Sequence, residues 1–262
     1  MIYIILALLV AGWVFLTAPG FGKGPLKEFT KHDFAHRGYH DNAGLAPENS
    51  LKAFAQAVEA GYAIELDVQF TKDHQLVVTH DFDLKRNIGA PIKVDALTYE
   101  ELSTYKLFSS HERIPLFSEV LSVVKGNVPL LVELKNETSQ VADLCSAVAA
   151  HLDTYEGPFL IESFNPLVLK WFRKHRPAYI RGQLSMNFKG SHSGFMYFMM
   201  QHLMANFLSR PDFIAYDFHH LNPYLRLFKF IYRRPFFAYT IKGSKDYKQA
   251  SDFFEGIIFD EK

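Results

Sequence analysis

From Phe34 to the C-terminus, short apolar runs of strand character alternate with stretches whose apolar residues recur at helical spacing. The strand-like runs are FAHRG, AIELDVQF, LVVTH, PLLVELK, FLIESF, IRGQLS, FIAYDF and FFAYTI, with a short closing GIIFD. Between them, Asn49-Ser50 supplies a helix cap, Leu51, Phe54, Ala55 and Val58 mark one apolar face, and Gly61 ends the run. A second helix starts at Asn165-Pro166 and stops before Pro177. This rhythm is the sequence form of an α/β protein, and eight strands with a closer predict a barrel.

One connection breaks the rhythm. Only TKDH separates AIELDVQF from QLVVTH, far short of the dozen or so residues that a parallel crossover needs. A hairpin is predicted there, folding about Asp73 and setting Asp67 beside Thr79 and His80, with Glu65 near Asp81.

Ahead of the barrel, residues 1–22 carry no charged side chain and have the length of a helix of about 20 residues that crosses a bilayer. The segment is read as a single-pass transmembrane anchor, with a short polar linker over 23–33 and the barrel domain over 34–262. The competing reading is a cleaved signal peptide, but no Lys or Arg precedes the apolar run and its best small-residue site, Ala18, is followed by Pro19. Lys23, Lys27 and Lys31 follow the segment and vote weakly for a cytoplasmic barrel, which leaves the side of the membrane open.

Charge and cysteine content narrow the function. Lys plus Arg equals Asp plus Glu at 28 each, so no basic field exists to hold nucleic acid. The single cysteine, Cys145, lies in a helical run without a neighbouring base and reads as a buried structural thiol.

Candidate chemistry sits on the alternating strands. In AIELDVQF the apolar Ile64, Leu66 and Val68 alternate with Glu65, Asp67 and Gln69, so both carboxylates project from one face about 7 Å apart along the strand. Like charges crowded into a barrel interior are costly unless a cation sits between them. A third carboxylate, Glu133, ends the apolar strand PLLVELK, two residues before Lys135. Three oxygen ligands without a cysteine pair favour Mg2+ or Ca2+ over structural zinc. His36 and His80 each end a short strand and suit an acid and a base, because histidine titrates near neutrality. Arg37 offers a planar donor fork for phosphate, and Lys135 adds a point charge. These groups together describe metal-assisted phosphodiester cleavage.

The run AHRGYHDNAGLAPENSLKAFAQAVEAGYAIELDVQFTKDHQLVVTHD resembles the opening of the glycerophosphodiester phosphodiesterase family, and RIPLFSEVL, VELK, IESFNP and GIIFD extend the resemblance over nearly everything after residue 33. It implies a TIM-type (β/α)8 barrel, distorted near strands 2 and 3, that hydrolyses glycerophosphodiesters to an alcohol and glycerol 3-phosphate. His36 and His80 would be the acid-base pair, Glu65, Asp67 and Glu133 the metal ligands, and Arg37 and Lys135 the phosphate contacts. Glu48 is expected either to anchor the rim loop or to stand behind the metal ligands, Asn49 to anchor the same loop, Asp81 to support the site from behind, and Tyr239 to line the pocket where much of the family has a Trp-Thr pair. The compact cap of many members is reduced here to roughly 82–113.

Two alternatives remain at this level: a phospholipase D-like enzyme acting on lysophospholipids or sphingolipids, and a non-catalytic membrane-anchored phosphodiester sensor. The apolar, methionine-rich segment 190–211 reads either as an ordinary barrel helix or as a rim helix lying on lipid, and LFKFIYRRPFF places Arg233-Arg234 among aromatics that suit an interface.

Overall fold

Eight parallel strands close a cylinder in the computed structural model, which describes residues 1–20, 26–188 and 194–261. In chain order the strands are β1 (Asp33–Ala35), β2 (Ala63–Phe70), β3 (Leu76–Val78), β4 (Leu130–Leu134), β5 (Phe159–Ser163), β6 (Arg181–Ser185), β7 (Phe213–Asp217), β8 (Phe236–Lys242) and β9 (Gly256–Glu261). All but β3 pair in parallel, and β1 bonds both β2 and β9, so no parallel edge is left open. The strand taken as a closer is therefore the eighth barrel strand, and the extra one is β3.

β3 pairs antiparallel with β2 alone, with Val68 opposite Val78. Beyond that register the Thr79 N–H donates to the Asp67 carbonyl at 3.0 Å, which realises the hairpin expected from the short TKDH connection.

Helices of about two turns or more follow the strands: α2 (Leu51–Ala60), α3 (Phe117–Val124), α4 (Ala142–Leu152), α5 (Pro166–His175), α6 (Phe195–Gln201), α7 (Pro223–Tyr232) and α8 (Gly243–Ser251), after an N-terminal α1 (Ile2–Thr17). The cap of α2 is Ser50 alone, whose hydroxyl accepts from the Ala53 N–H at 3.1 Å. Asn49, expected to share that cap, has a different use described below.

Strand alternation divides the core in two. Ile64, Leu66, Val68, Leu130 and Val132 pack outward under the helices, while Phe34, Ala63, Leu131, Leu160, Phe213, Phe237 and Ile258 fill the barrel's interior. Gly182 makes room in that interior, because a Cβ there would overlap the Phe213 ring. One step further along the same strands, the inward positions become polar, and the chemistry collects there.

The N-terminal segment departs from expectation. α1 has 16 residues and so rises about 24 Å, short of the roughly 30 Å hydrocarbon layer. Among the described residues no helix is long and apolar enough to cross a membrane, so the transmembrane span read over 1–22 is corrected. The physical reason lies at its C-terminal end, where Ala18 leaves helical geometry and Pro19 follows. There Thr17 is buried, its carbonyl accepts from Asn206 Nδ2 at 3.0 Å, and the Gly20 N–H donates to the Pro211 carbonyl. Asn206 and Pro211 lie in the connection between β6 and β7. Of the linker read over 23–33, residues 23–25 lie outside the described residues, while Leu26–Phe29 forms a helical turn and Asp33 already belongs to β1.

Candidate active site

Glu65, Asp67 and Glu133 bring one carboxylate oxygen each within 4.8 Å of the others, and all three residues are buried. β-pairing makes this happen, since Asp67 stands in register with Glu133 across β2 and β4. Burial and the neighbouring Asp67 and Glu133 charges push the Glu65 carboxyl well above its ordinary range. Burial also pushes Asp67 up, but the charges of His80, Lys135 and Arg37 and a hydrogen bond from Asn49 outweigh it and hold Asp67 ionised. Asp67 Oδ1 is buried with no hydrogen-bond partner. An orphaned anionic oxygen among hard donors fits a divalent cation, so these three residues are the ones that would hold it.

Lys135 extends the same strand face. Its Nζ lies 3.1 Å from Glu133 Oε1 and 3.6 Å from Asp67 Oδ1. Burial lowers the Lys135 ammonium, but the Glu133 and Asp67 charges outweigh it, so the cation is kept.

The loop after β1 wraps this cluster. Arg37 adopts a left-handed backbone conformation, φ 57°, uncommon for a non-glycine residue, and Gly38 follows at φ 83°. That turn aims the Arg37 N–H at Glu65 Oε2, 2.9 Å away. The Asn49 N–H returns to the Arg37 carbonyl at 2.8 Å, and Asn49 Nδ2 donates to Asp67 Oδ2 at 2.9 Å. Asn49 therefore orients a carboxylate of the cluster rather than capping α2.

Glu48 anchors the guanidinium groups. Arg37 Nη1 donates to it at 2.6 Å, and Arg86 adds two bonds at 2.7 Å. Burial raises the Glu48 carboxyl, yet hydrogen bonds from Arg86 and the Arg37 charge win and hold it at about 2. Arg86 Nε also donates to Asp81 Oδ2 at 2.7 Å, so one cation links the β1 loop to the residue after His80.

Both histidines lean on aspartates. His36 Nδ1 lies 2.5 Å from Asp260 Oδ1, and His80 Nδ1 lies 2.6 Å from Asp81 Oδ1. An ionised carboxylate at Nδ1 selects the Nδ1–H tautomer and leaves Nε2 as the basic nitrogen. Burial draws the His36 imidazole below its ordinary value, opposed by the Asp260 hydrogen bond. Asp260 itself is held low, because the bond to His36 and the Lys242 charge outweigh its burial.

Tyr239 stands on the inner face of β8, its hydroxyl donating to the Ser185 carbonyl at 2.7 Å and its ring 6.3 Å from that of Phe164. It closes the wall of the interior rather than pointing a free hydroxyl into it. Cys145 is buried in the main core, and burial pushes its thiol up to about 12, in keeping with a structural thiol.

Three residues of the site escaped the sequence reading. Asp260 carried a signal, since Ile258 and Asp260 alternate on β9 as Leu131 and Glu133 do on β4. Glu162 carried the same one: it is in register with Glu133, 1% exposed, and its Oε2 has no partner. Arg86 had none, because it reaches the site from the irregular segment after His80.

The sequence model of the glycerophosphoryl diester phosphodiesterase family matches residues 36–223. A glycerophosphodiester phosphodiesterase of Bacillus altitudinis is 34% identical over 165 residues, covering 59% of this chain and 66% of that protein. A lysophospholipase D of Homo sapiens is 37% identical over 122 residues, covering 42% and 38%. The chain spans about half to two thirds of the length of the first curated relatives it matches. An Oleispira antarctica phosphodiesterase solved with sn-glycerol-3-phosphate superposes with a TM-score of 0.72 at 21% identity, over 87% of this chain and 92% of that one, which shows the shared fold.

Proposed function

The chain belongs to the glycerophosphoryl diester phosphodiesterase family, and on that premise we propose that it hydrolyses glycerophosphodiesters to an alcohol and glycerol 3-phosphate. The observation that carries this reading is the convergence of two His–Asp pairs, an arginine and a lysine on one buried three-carboxylate cluster. Arg37 and Lys135 bind the phosphate oxygens, and Glu65, Asp67 and Glu133 hold Mg2+ or Ca2+. A divalent cation bound there supplies charge stabilisation for the phosphorane-like transition state.

The remaining work is proton transfer. His36, kept neutral by burial, takes the proton of the glycerol 2-hydroxyl as its oxygen attacks phosphorus. His80 protonates the departing alkoxide as the ester P–O bond breaks. Water then opens the resulting cyclic phosphate with the roles reversed, restoring both histidines and releasing glycerol 3-phosphate. Asp260 and Asp81 keep each ring in the tautomer that presents Nε2.

The test is release of glycerol 3-phosphate from glycerophosphocholine by the full chain, with and without chelator, beside His36→Ala. Metal-dependent release that is lost in the variant supports the reading. A folded protein that releases nothing with either cation overturns it, and binding without turnover would indicate the sensor.

Exposed Phe195, Met196 and Phe198 on α6, in the connection after β6, support a second reading in which lysophospholipids are cleaved phospholipase D-fashion. Choline and lysophosphatidate as products from lysophosphatidylcholine would establish it. Membrane location is part of the proposal as well. From Met1 to Gly12 every residue of the N-terminal segment is exposed and none has a charged side chain, which supports insertion of α1 into a bilayer short of crossing it.

A further inference from the structure

The contacts of α1 fix its direction. Thr17 Oγ1 shares a 2.8 Å hydrogen bond with the hydroxyl of Tyr232, the last residue of α7, and the Gly20 N–H reaches Pro211 just ahead of β7, so this end of α1 lies where the strands begin. One turn earlier Trp13 touches both Tyr232, at 6.1 Å, and Tyr224, at 6.3 Å. Tyr224 stands in the first turn of α7, on the carboxylate side of the barrel. α1 therefore runs alongside α7 towards that side. The residues ahead of Trp13 rise about 18 Å, more than the roughly 15 Å of α7 itself, so they overtop the catalytic end.

α6 meets α1 at that end. The Tyr224 hydroxyl donates to the carbonyl of His202, the residue after α6, at 2.5 Å, and the two rings lie 5.4 Å apart. One tyrosine thus joins two apolar elements that are distant in sequence. On α6, Phe195 is 77% exposed, with Met196 and Phe198 exposed beside it. Neither 1–20 nor 194–209 contains a Lys, Arg, Asp or Glu. From α6 an aromatic series leads inward, from Tyr197 to Phe188 at 5.2 Å, to Phe164 at 6.4 Å, and on to Tyr239 of the inner wall.

A groove on a partner protein covers one face of a helix. Residues 1–12 are exposed on every face, and a helix that is apolar all round is matched by hydrocarbon, which needs no shape complementarity. We propose that the projecting part of α1 and the exposed face of α6 enter the same bilayer surface, so that the catalytic mouth is turned towards the lipid and phosphodiesters reach it from the membrane. The inference rests on the membrane location proposed for α1 and adds the docking face, its uncharged chemistry and the direction of the mouth.

The test attaches a nitrobenzoxadiazole fluorophore to the full chain at Leu6→Cys, Phe195→Cys or Phe230→Cys; Cys145 is 0% exposed, which leaves the introduced thiol as the reactive one. Phe230 is 75% exposed near the far end of α7 and reports on the side away from the carboxylates. With vesicles of phosphatidylcholine, emission at positions 6 and 195 is expected to rise about twofold or more and shift to the blue, position 230 to stay unchanged, and added salt to leave the rise intact. In sedimentation with the same vesicles, Phe195→Ser with Phe198→Ser should weaken partition by about tenfold. A rise at 230 and not at 195 overturns the orientation. A rise at 6 alone, with full partition of the serine variant, makes α1 the whole attachment and overturns docking through the mouth. No rise at any position overturns the membrane location as well, independently of glycerol 3-phosphate release from soluble glycerophosphocholine, which tests the function. A blue shift at 195 that needs no lipid and grows with protein concentration would assign the face to a second copy.

Discussion

Asp260 Oδ1 sits 2.5 Å from His36 Nδ1, although the two residues are separated by 224 positions and meet because β9 closes the barrel against β1. The aspartate holds the ring in one tautomer, so under the acid-base role proposed for His36 its effect on turnover passes through that ring. Asp260→Asn is expected to lower kcat by about 10- to 1,000-fold with KM within about threefold, because the amide supports the wrong tautomer as readily as the right one. His36→Ala should lose more. A steady-state comparison in which Asp260→Asn raises KM and spares kcat would reassign the residue to substrate binding.

Cation binding should be visible without turnover. With three carboxylates crowded together, Mg2+ or Ca2+ is expected to raise the melting temperature by several degrees as ligation to the folded state alone stabilises it. Asp67→Asn should abolish that increment, and chelator should return wild type to the metal-free value. Thermal unfolding monitored against cation concentration reads it directly. An unchanged midpoint at millimolar cation would count against the site.

Glu48 gives acid sensitivity with a definite sign. Its carboxyl is moved from an ordinary 4.5 to about 2 in the folded protein, so the stabilisation is complete above about pH 4.5 and is lost as the pH falls towards 2. The shift corresponds to about 3 kcal/mol. Denaturant unfolding of wild type should steepen over that window, and Glu48→Gln should show a flatter dependence from a lower plateau, with Arg37 and Arg86 left buried beside a neutral partner.

Glu162 should behave in the opposite sense. Burial, reinforced by the Glu133 and Asp67 charges, pushes its carboxyl well above the ordinary value, so the folded state holds this proton more tightly than the unfolded chain does. The associated stability is full below about pH 4.5 and declines as pH rises. In chelator, Glu162→Gln is therefore expected to match wild type at low pH and to exceed it at pH 8. Equal stability of the two proteins at pH 8 would mean that a partner compensates the carboxylate.

Much of this was legible in the sequence because strand alternation is a local signal. Glu65, Asp67 and Glu133 each stand on an apolar strand with a period of two, and their convergence needs only a barrel. The hairpin was legible from connection length. The capping part of the Asn49 reading failed because a helix cap and a carboxylate partner ask for the same side chain, and here the residue stands at φ 56° with its N–H on the Arg37 carbonyl. Arg86 was invisible, since nothing in its own segment announces that a guanidinium will bridge Glu48 and Asp81. The end of α1 was misplaced because hydropathy does not show that Thr17 and Gly20 bond to barrel residues distant in sequence.

The hairpin has a further consequence for how such a protein can diversify. β3 is pinned between two cores, with Val78 in the main one and Val77 in a satellite of Leu84, Val94, Leu102, Leu107 and Ile114. His36 thus follows a strand that closes the cylinder, and His80 follows one that pairs with β2 alone and carries the satellite core on its other face. Insertions or exchanges within 82–113 would change what packs on Val77, while the Gln69 amide and the Thr79 N–H keep the backbone around His80 on β2 and leave barrel closure and the carboxylate cluster intact. A loop can be rebuilt on this face without having to solve the folding problem again.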